Sequence, residues 1–463
     1  MRFLLSLLIA CVIGSLHANE KPNVLMISVD DLNDWIGCLG GHPDAITPHL
    51  DSLAARGVNF TNAHCSVTVC SPSRISVISG VGPTTHGSYE LGTPYQEIAR
   101  LDDVPTMPGF FKANGYTTIT GGKILHHNFT GRLEADNNLV LTLRKGGPNP
   151  KKTFHAPKPW DWGAFPKTDA EMYDYQLAGA AAETLRQEHD KPFFLSVGLF
   201  RPHVPMFVPP HWYELYDAEA ITMPDADPTD MDDIPGNFQY KMWIAPTLAE
   251  LQDRKHWRSM VHAYLANTSF VDHCVGEIIK GLDSGPNKDN TIIVLWSDHG
   301  FHIGEKQHIA KRTLWEESTR VPLFFAGPGI EPGTSPEPAS LLDIFPTLIE
   351  LTDLPENKHL EGISLTPQLN NPSTPRERPA LSSSYFGNHS VRTRDWRYIR
   401  YDDGAEELYD HRVDPDEKTN LADKAEYTDL KKKLAAHIPV GAAPEVKTFE
   451  TREQVRTGKV SRP

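Results

Sequence analysis

The sequence predicts an α/β protein: a mostly parallel sheet sandwiched by helices, with a smaller C-terminal subdomain of antiparallel sheet plus helix. Two observations predict it. Apolar, β-rich runs alternate with helix-length segments through most of the chain, the pattern of buried parallel strands with covering helices. After roughly Pro375 the runs become short and alternating, the pattern of antiparallel strands. In order, Asn23–Val29 reads as a buried strand, Leu50–Gly57 as a short helix and Tyr116–Thr120 as a strand. Asp169–His189 has apolar helical spacing, Phe193–Phe200 reads as a strand and Trp257–Leu282 as a long helix. Thr291–Trp296 and Val321–Ala326 read as strands, and Leu341–Leu351 as a helix. The C-terminal strands are Ala380–Phe386, Val391–Thr393, Trp396–Tyr401 and Glu407–Tyr409, with a helix at Tyr427–Ile438. There is no internal repeat.

A chain of 463 residues, 39% of them hydrophobic, has enough apolar material for a large core. Its net charge of −15 excludes a non-specific nucleic-acid binder, which needs clustered Lys and Arg, but not a local pocket of opposite sign. Arg2 and the apolar run Phe3–Leu16, ending at Leu16-His17-Ala18, read as an export signal, too short to span a membrane. Secretion or a periplasmic location follows. Leu8-Ile9-Ala10-Cys11 also resembles a lipobox, which would anchor the chain through Cys11. The expected division is a signal at 1–18, a main α/β domain at 19–375 and an α+β subdomain at 376–463. No later segment is apolar enough to be an integral membrane span. If Cys70 is functional, at most one disulfide is left among Cys38, Cys65 and Cys274.

Sites in open α/β sheets gather beyond the carboxyl ends of strands. Four predicted strands run into chemistry there: Asp30-Asp31, Gly121-Gly122-Lys123 with His126 nearby, Arg201-Pro202-His203, and Ser297-Asp298-His299. Three carboxylates at one edge repel unless a cation sits between them, and oxygen-rich ligation favours Ca²⁺ or Mg²⁺ over zinc. The alternative for Asp30-Asp31 is a helix or loop cap.

Cys70-Ser71-Pro72-Ser73-Arg74 places Pro72 in the first turn of a helix that stops at Gly80. Cys70 then sits at a helix N-terminus, where free N–H groups favour an anion, and Arg74 lies one turn on. A buried structural cysteine fits these residues equally well. Lys123 and Lys311 fit ordinary surface lysines, His203 a solvated loop residue. His127 competes with His126, and His86, His302 and His308 are further candidates.

Cys-x-Pro-Ser-Arg followed by a short helix and Gly resembles the signature of the type I, formylglycine-dependent sulfatases of the alkaline phosphatase superfamily. The resemblance extends over Pro22–Asp31, Thr47–Asp51, Gly57–Ala63, Gly122–His126, Ser297–Gly300, Gly304-Glu305, Lys311, Arg320–Leu323 and Leu408–Leu421. The Lys123–His126 spacing, Arg201-Pro202-His203 and His299 are closest to the iduronate-2-sulfatase-like branch, which includes bacterial polysaccharide enzymes. The resemblance implies an alkaline phosphatase-like fold and hydrolysis of a sulfuric ester on a sulfated carbohydrate. It implies that a formylglycine-generating or sulfatase-maturing enzyme converts Cys70 to 3-oxoalanine (formylglycine), whose gem-diol attacks sulfur. Asp30, Asp31, Cys70, Asp298 and His299 would hold Ca²⁺ (Mg²⁺ as the less favoured ion). Arg74, Lys123 and Lys311 would hold the sulfate oxygens, His203 would protonate the leaving alcohol, and His126 would take the proton that releases sulfate. The chain departs from the family at Val81, where a basic residue is usual, and at Lys306, where His is frequent.

Two long stretches, Arg144–Lys167 and Thr222–Pro246, lack regular pattern and read as functional or covering loops. Lys151-Lys152-Thr153-Phe154-His155 with Trp160 and Trp162 could stack on a sugar, or pack as a covering loop. Two competing functions remain: a phosphonate or phosphate ester hydrolase using the same modified cysteine, and a glycan-binding protein whose Cys70 is never matured. Retention of every ligand and lysine argues against the second.

Overall fold

The first strand shows how the sheet is built. All eight residues of Asn23–Asp30 are buried, and they alternate between two cores. Val24 and Met26 face one; Leu25, Ile27 and Val29 face the other. A strand apolar on both faces needs cover on both. The helices Cys70–Ser79 (α1) and Ile344–Leu351 (α4) cover the first face. Tyr173–Leu185 (α2) and Trp257–Asp283 (α3) cover the second. The computed structural model describes residues 21–126, 133–139, 150, 155, 159–235 and 245–446. The expected signal at 1–18 with Cys11, and also His127 and Lys151–Phe154, lie outside the described residues.

The eight-stranded sheet comprises β1 (Asn23–Asp30), β2 (Val58–Phe60), β3 (Thr117–Gly122), β4 (Asn137–Asn138), β5 (Phe193–Pro202), β6 (Thr291–Ser297), β7 (Leu323–Ala326) and β8 (Gly333–Ser335). The spatial order is β8-β2-β7-β6-β1-β5-β3-β4. Pairing is parallel except at β7, which runs antiparallel to both β6 and β2. The sheet is thus mixed, and mostly parallel as expected. The strands β9 (Ala380–Ser383), β10 (His389–Arg392), β11 (Trp396–Arg400) and β12 (Glu406–Asp410) form the expected antiparallel sheet. Leu434 of α5 (Thr428–Ala435) packs there with Val391, Tyr398 and Leu408.

The helix expected over Asp169–His189 is shorter, because a 3₁₀ turn at Asp169–Glu171 precedes α2. Ser383 N donates to Ser66 O at 2.9 Å and Thr68 N to Ser383 O at 3.2 Å, so β9 lies directly on the segment leading to Cys70. Arg397, on β11, pairs with both Glu316 and Glu417. All four described cysteines are free, so the disulfide allowed by counting is not formed among them.

Candidate active site

Four neighbouring strands, β6, β1, β5 and β3, run parallel, so their carboxyl ends share one edge. That edge receives Asp298 and His299, Asp30 and Asp31, His203, and Lys123. β3 leaves the sheet at Gly122 with φ 77°. A Cβ there would meet Gly198 O at 2.0 Å, so only glycine allows Lys123 to fold back, its N–H donating to Gly198 O at 2.7 Å.

α1 begins at Cys70 and stops at Gly80, where φ is 70°. Every residue of this helix is buried, and Cys70 is 1% exposed. Its Sγ lies 3.0 Å from Lys311 Nζ, 3.2 Å from His299 Nε2 and 3.9 Å from Asp31 Oδ1. Burial alone would push the Cys70 thiol up, but Lys123, Lys311 and His299 overcome it and hold the thiol well below its ordinary range. The surroundings of residue 70 are therefore built for negative charge.

The carboxylates converge beside it. Asp31 Oδ1 accepts from Lys311 Nζ at 2.5 Å and lies 3.3 Å from His299 Nε2. Asp31 N donates to Asp298 Oδ1 at 3.1 Å. Asp30 pairs with Lys123, and although burial would raise its carboxyl, Lys123, His203 and Arg74 hold it well below the usual range. Burial raises Asp298 to about 6, against the pull of Arg74 and His299. His299 is raised: burial would lower it, but Asp298 outweighs that. Burial opposes the charge on Lys311, yet Asp31 and the site's other anions raise its pKa.

These residues fit a divalent cation. Ligand atoms of Asp31, Cys70 and His299 lie within 4.8 Å of one another, as do those of Asp30, Cys70 and Asp298 and those of Asp30, Asp31 and His203. Asp31 Oδ2 is buried with no hydrogen-bond partner. The three fully buried aspartates make an oxygen-rich donor set that suits a hard ion.

Each remaining candidate has a definite place. His203 Nε2 stands 3.8 Å from Asp31 Oδ2 and 4.0 Å from Asp30 Oδ2, and its ring is partly exposed. Burial lowers His126, which hydrogen-bonds to the Cys70 side chain. Arg74 has partners that the sequence did not announce. It is fully buried, with Nε on Asp298 Oδ2 (2.8 Å), Nη2 near Asp30 Oδ1 (3.3 Å) and Nη1 on Ser28 Oγ and the Lys123 carbonyl. Its guanidinium braces the carboxylates of Asp298 and Asp30. Trp160 and Trp162 are buried in a hydrophobic cluster, and His155 stacks on Trp162 at 4.8 Å, so these indoles offer no face to a sugar. His86, His302 and His308 are buried and bond to Ser76, Thr313 and the Lys311 carbonyl. Val81 is core, and Lys306 is buried between Trp315 and Tyr409, paired with Asp230.

Lys311 rides on an unusual segment. Lys306, Gln307, Ala310 and Arg312 all have positive φ, between 51° and 81°. Such backbone persists only where surrounding contacts over-determine it. Nothing in the residue pattern announces it. Ser73, whose hydroxyl donates to Asp298 O, and Ser297, whose Oγ accepts from Leu32 N at 3.1 Å, also support the site unannounced.

Residues 22–354 match the sulfatase family model. The chain belongs to the sulfatase family. Residues 304–440 match a second model, described as the N-sulphoglucosamine sulphohydrolase C-terminal region. This sulfatase is 38% identical over 444 residues to a sulfatase of Formosa agariphila, spanning 91% of this chain and 87% of that protein. It is 31% identical over 452 residues to the choline-sulfatase of Rhizobium meliloti, spanning 90% and 87%. The phosphonate monoester hydrolase of Agrobacterium radiobacter superposes with a TM-score of 0.69 at 22% identity, covering 90% of this chain and 94% of that one. A protein solved in complex with its substrate, D-glucosamine-2-N,6-O-disulfate, superposes with a TM-score of 0.68 at 22% identity, covering 90% and 96%. At these identities the likeness is one of fold, the alkaline phosphatase-like fold. Sulfatases of this family use a formylglycine and a metal ion.

Proposed function

We propose that this sulfatase is exported and removes sulfate from a sulfated carbohydrate, with Cys70 matured to formylglycine and Ca²⁺ as its metal. The observation that carries the reading is the meeting at Cys70 of Lys311, His299 and Asp31 within 3.9 Å. The apolar run Phe3–Leu16 supports export. Relatives named iduronate 2-sulfatase (Mus musculus) and delta 4,5-hexuronate-2-O-sulfatase (Bacteroides thetaiotaomicron) support a carbohydrate substrate.

Asp30, Asp31, Asp298 and residue 70 would hold the ion, with His299 beside them. When bound, the ion and the aldehyde at position 70 supply a deprotonated oxygen nucleophile at neutral pH. The chain's own residues do the rest. Lys123 and Lys311 each place an ammonium at the strand-end carboxylates, where a sulfate group meets positive charge in a dry site. The Nδ1–H of His203 donates to the Val204 carbonyl, so it is the doubly protonated ring that would deliver the Nε2 proton to the departing alcohol oxygen. Burial lowers the pKa of His126, which favours the neutral ring that would accept the proton whose removal frees sulfate.

The test is turnover by enzyme matured in the producing cell. A panel of sulfated mono- and oligosaccharides is assayed beside aryl sulfate and aryl phosphate, and the Cys70 peptide is weighed. The expected result is an aldehyde mass, hydrolysis of at least one sulfated sugar, and loss of both with Cys70→Ala. A strong preference for the phosphate ester overturns the reading, as does an unmodified Cys70 peptide in material that nonetheless turns over.

A further inference from the structure

Three successive backbone N–H groups follow the end of β1, and each is held. Asp31 N donates to Asp298 Oδ1 at 3.1 Å, Leu32 N to Ser297 Oγ at 3.1 Å, and Asn33 N to Tyr264 Oη at 2.9 Å. The first two acceptors belong to the sheet edge itself. Tyr264 comes from α3, on the opposite face of the sheet from Cys70 and α1. Its hydroxyl also donates to Asp31 O at 2.7 Å, so one oxygen closes the turn from residue 31 to residue 33.

That turn is not a relaxed one. Asp31 has φ 62°, in the left-handed region that non-glycine residues seldom occupy. In this conformation its carboxylate stands among Cys70, Lys311 and His299 and leaves Oδ2 without a hydrogen-bond partner. The phenol that closes the turn is itself fixed: fully buried, stacked on Phe301 at 5.7 Å and edge-on to Trp35 at 5.4 Å.

We propose that Tyr264 is a positioning residue for the metal site, its hydroxyl locking the Asp31 backbone so that the carboxylate faces the ion. This rests on the reading of Asp31 as a metal ligand. Tyr264 touches neither substrate nor ion; it acts through Asp31. Outer groups that orient ligands typically change metal affinity by about 10–100-fold when removed.

Tyr264→Phe deletes the hydroxyl and keeps the ring. Chelator-stripped wild type and variant are titrated with Ca²⁺ by calorimetry, and the melting temperature is taken without metal. Tyr264→Phe should raise the Kd for Ca²⁺ by about 10-fold or more. Leu265→Ala, a fully buried neighbour on the same helix, should lower the melting temperature and leave Kd unchanged. Phe301→Leu loosens the stack that aims the hydroxyl and should raise Kd severalfold, which keeps the test decisive if Tyr264→Phe does not fold. A wild-type Kd in Tyr264→Phe, or in Phe301→Leu where that variant must serve, overturns the proposal. Failure of the wild type to bind Ca²⁺ overturns the metal reading instead.

Discussion

Arg74 and Asp298 are both fully buried and meet at 2.8 Å between Nε and Oδ2, one turn into the helix that Cys70 begins. The same guanidinium reaches Asp30 at 3.3 Å, so it bridges the ends of β1 and β6. Removing it strands two carboxylates out of water. Breaking a buried pair from one side costs about 3–5 kcal/mol. Arg74→Ala should therefore lower the melting temperature sharply, along with activity. An unchanged melting temperature with only a raised KM would instead make Arg74 a sulfate ligand.

Lys311 lies close to both Asp31 and Cys70, while Lys123 contacts Asp30. If both ammonium groups stabilise charge as sulfate leaves, each alanine substitution should cut kcat by about 10²–10³-fold, the range for losing one such donor. Aryl sulfate turnover is the measurement. A change confined to KM would mean that the lysine only attracts substrate.

Metal removal should act on stability as well as on rate. Asp30, Asp31 and Asp298 are fully buried within a few ångströms of one another. An ion bound at 100 times its Kd stabilises the folded state by about 2.7 kcal/mol. Chelation should lower the melting temperature and abolish turnover, and Ca²⁺ should restore both. Restoration by Mg²⁺ alone would reassign the ion.

His86 gives a pH signature away from the site. Ser88 N donates to its Nδ1 at 3.0 Å and Nε2 faces Ser76 Oγ at 3.0 Å, an arrangement for a neutral ring. Burial pushes its pKa down from 6.5 to about 3. Because the folded value is the lower one, stability from this group is complete above pH 6.5. It is lost as pH falls toward 3, at up to about 1.4 kcal/mol per pH unit. His86→Asn keeps an acceptor for Ser88 N and removes the titration. Its stability should fall less steeply than wild type below pH 6.5; equal slopes would assign the loss to other groups.

Much of the site was legible because parallel strands must end on one edge. That geometry singles out Asp30, Asp31, Lys123, His203 and Asp298 before any contact is known. The order β6-β1-β5-β3, which makes those ends neighbours, was not legible, since pattern shows that strands exist and not which ones pair. Arg74 was located but its protein partners were not legible: helix spacing puts a side chain near a helix start without saying what it meets. Trp160 and Trp162 were ambiguous for a related reason, as loop composition does not say which side faces water. Tyr264 was hidden altogether. Its bond to Asp31 joins residues 233 positions apart, and helical periodicity marks it only as buried.

The strand β9 lies against the segment before Cys70, with Ser382 Oγ on Cys65 O at 2.6 Å and Ser383 N on Ser66 O at 2.9 Å. During synthesis the Cys70 segment emerges well before β9, which begins only at Ala380. A maturing enzyme of the kind that the resemblance implies would meet Cys70 before these contacts form, and β9 would close that window behind it.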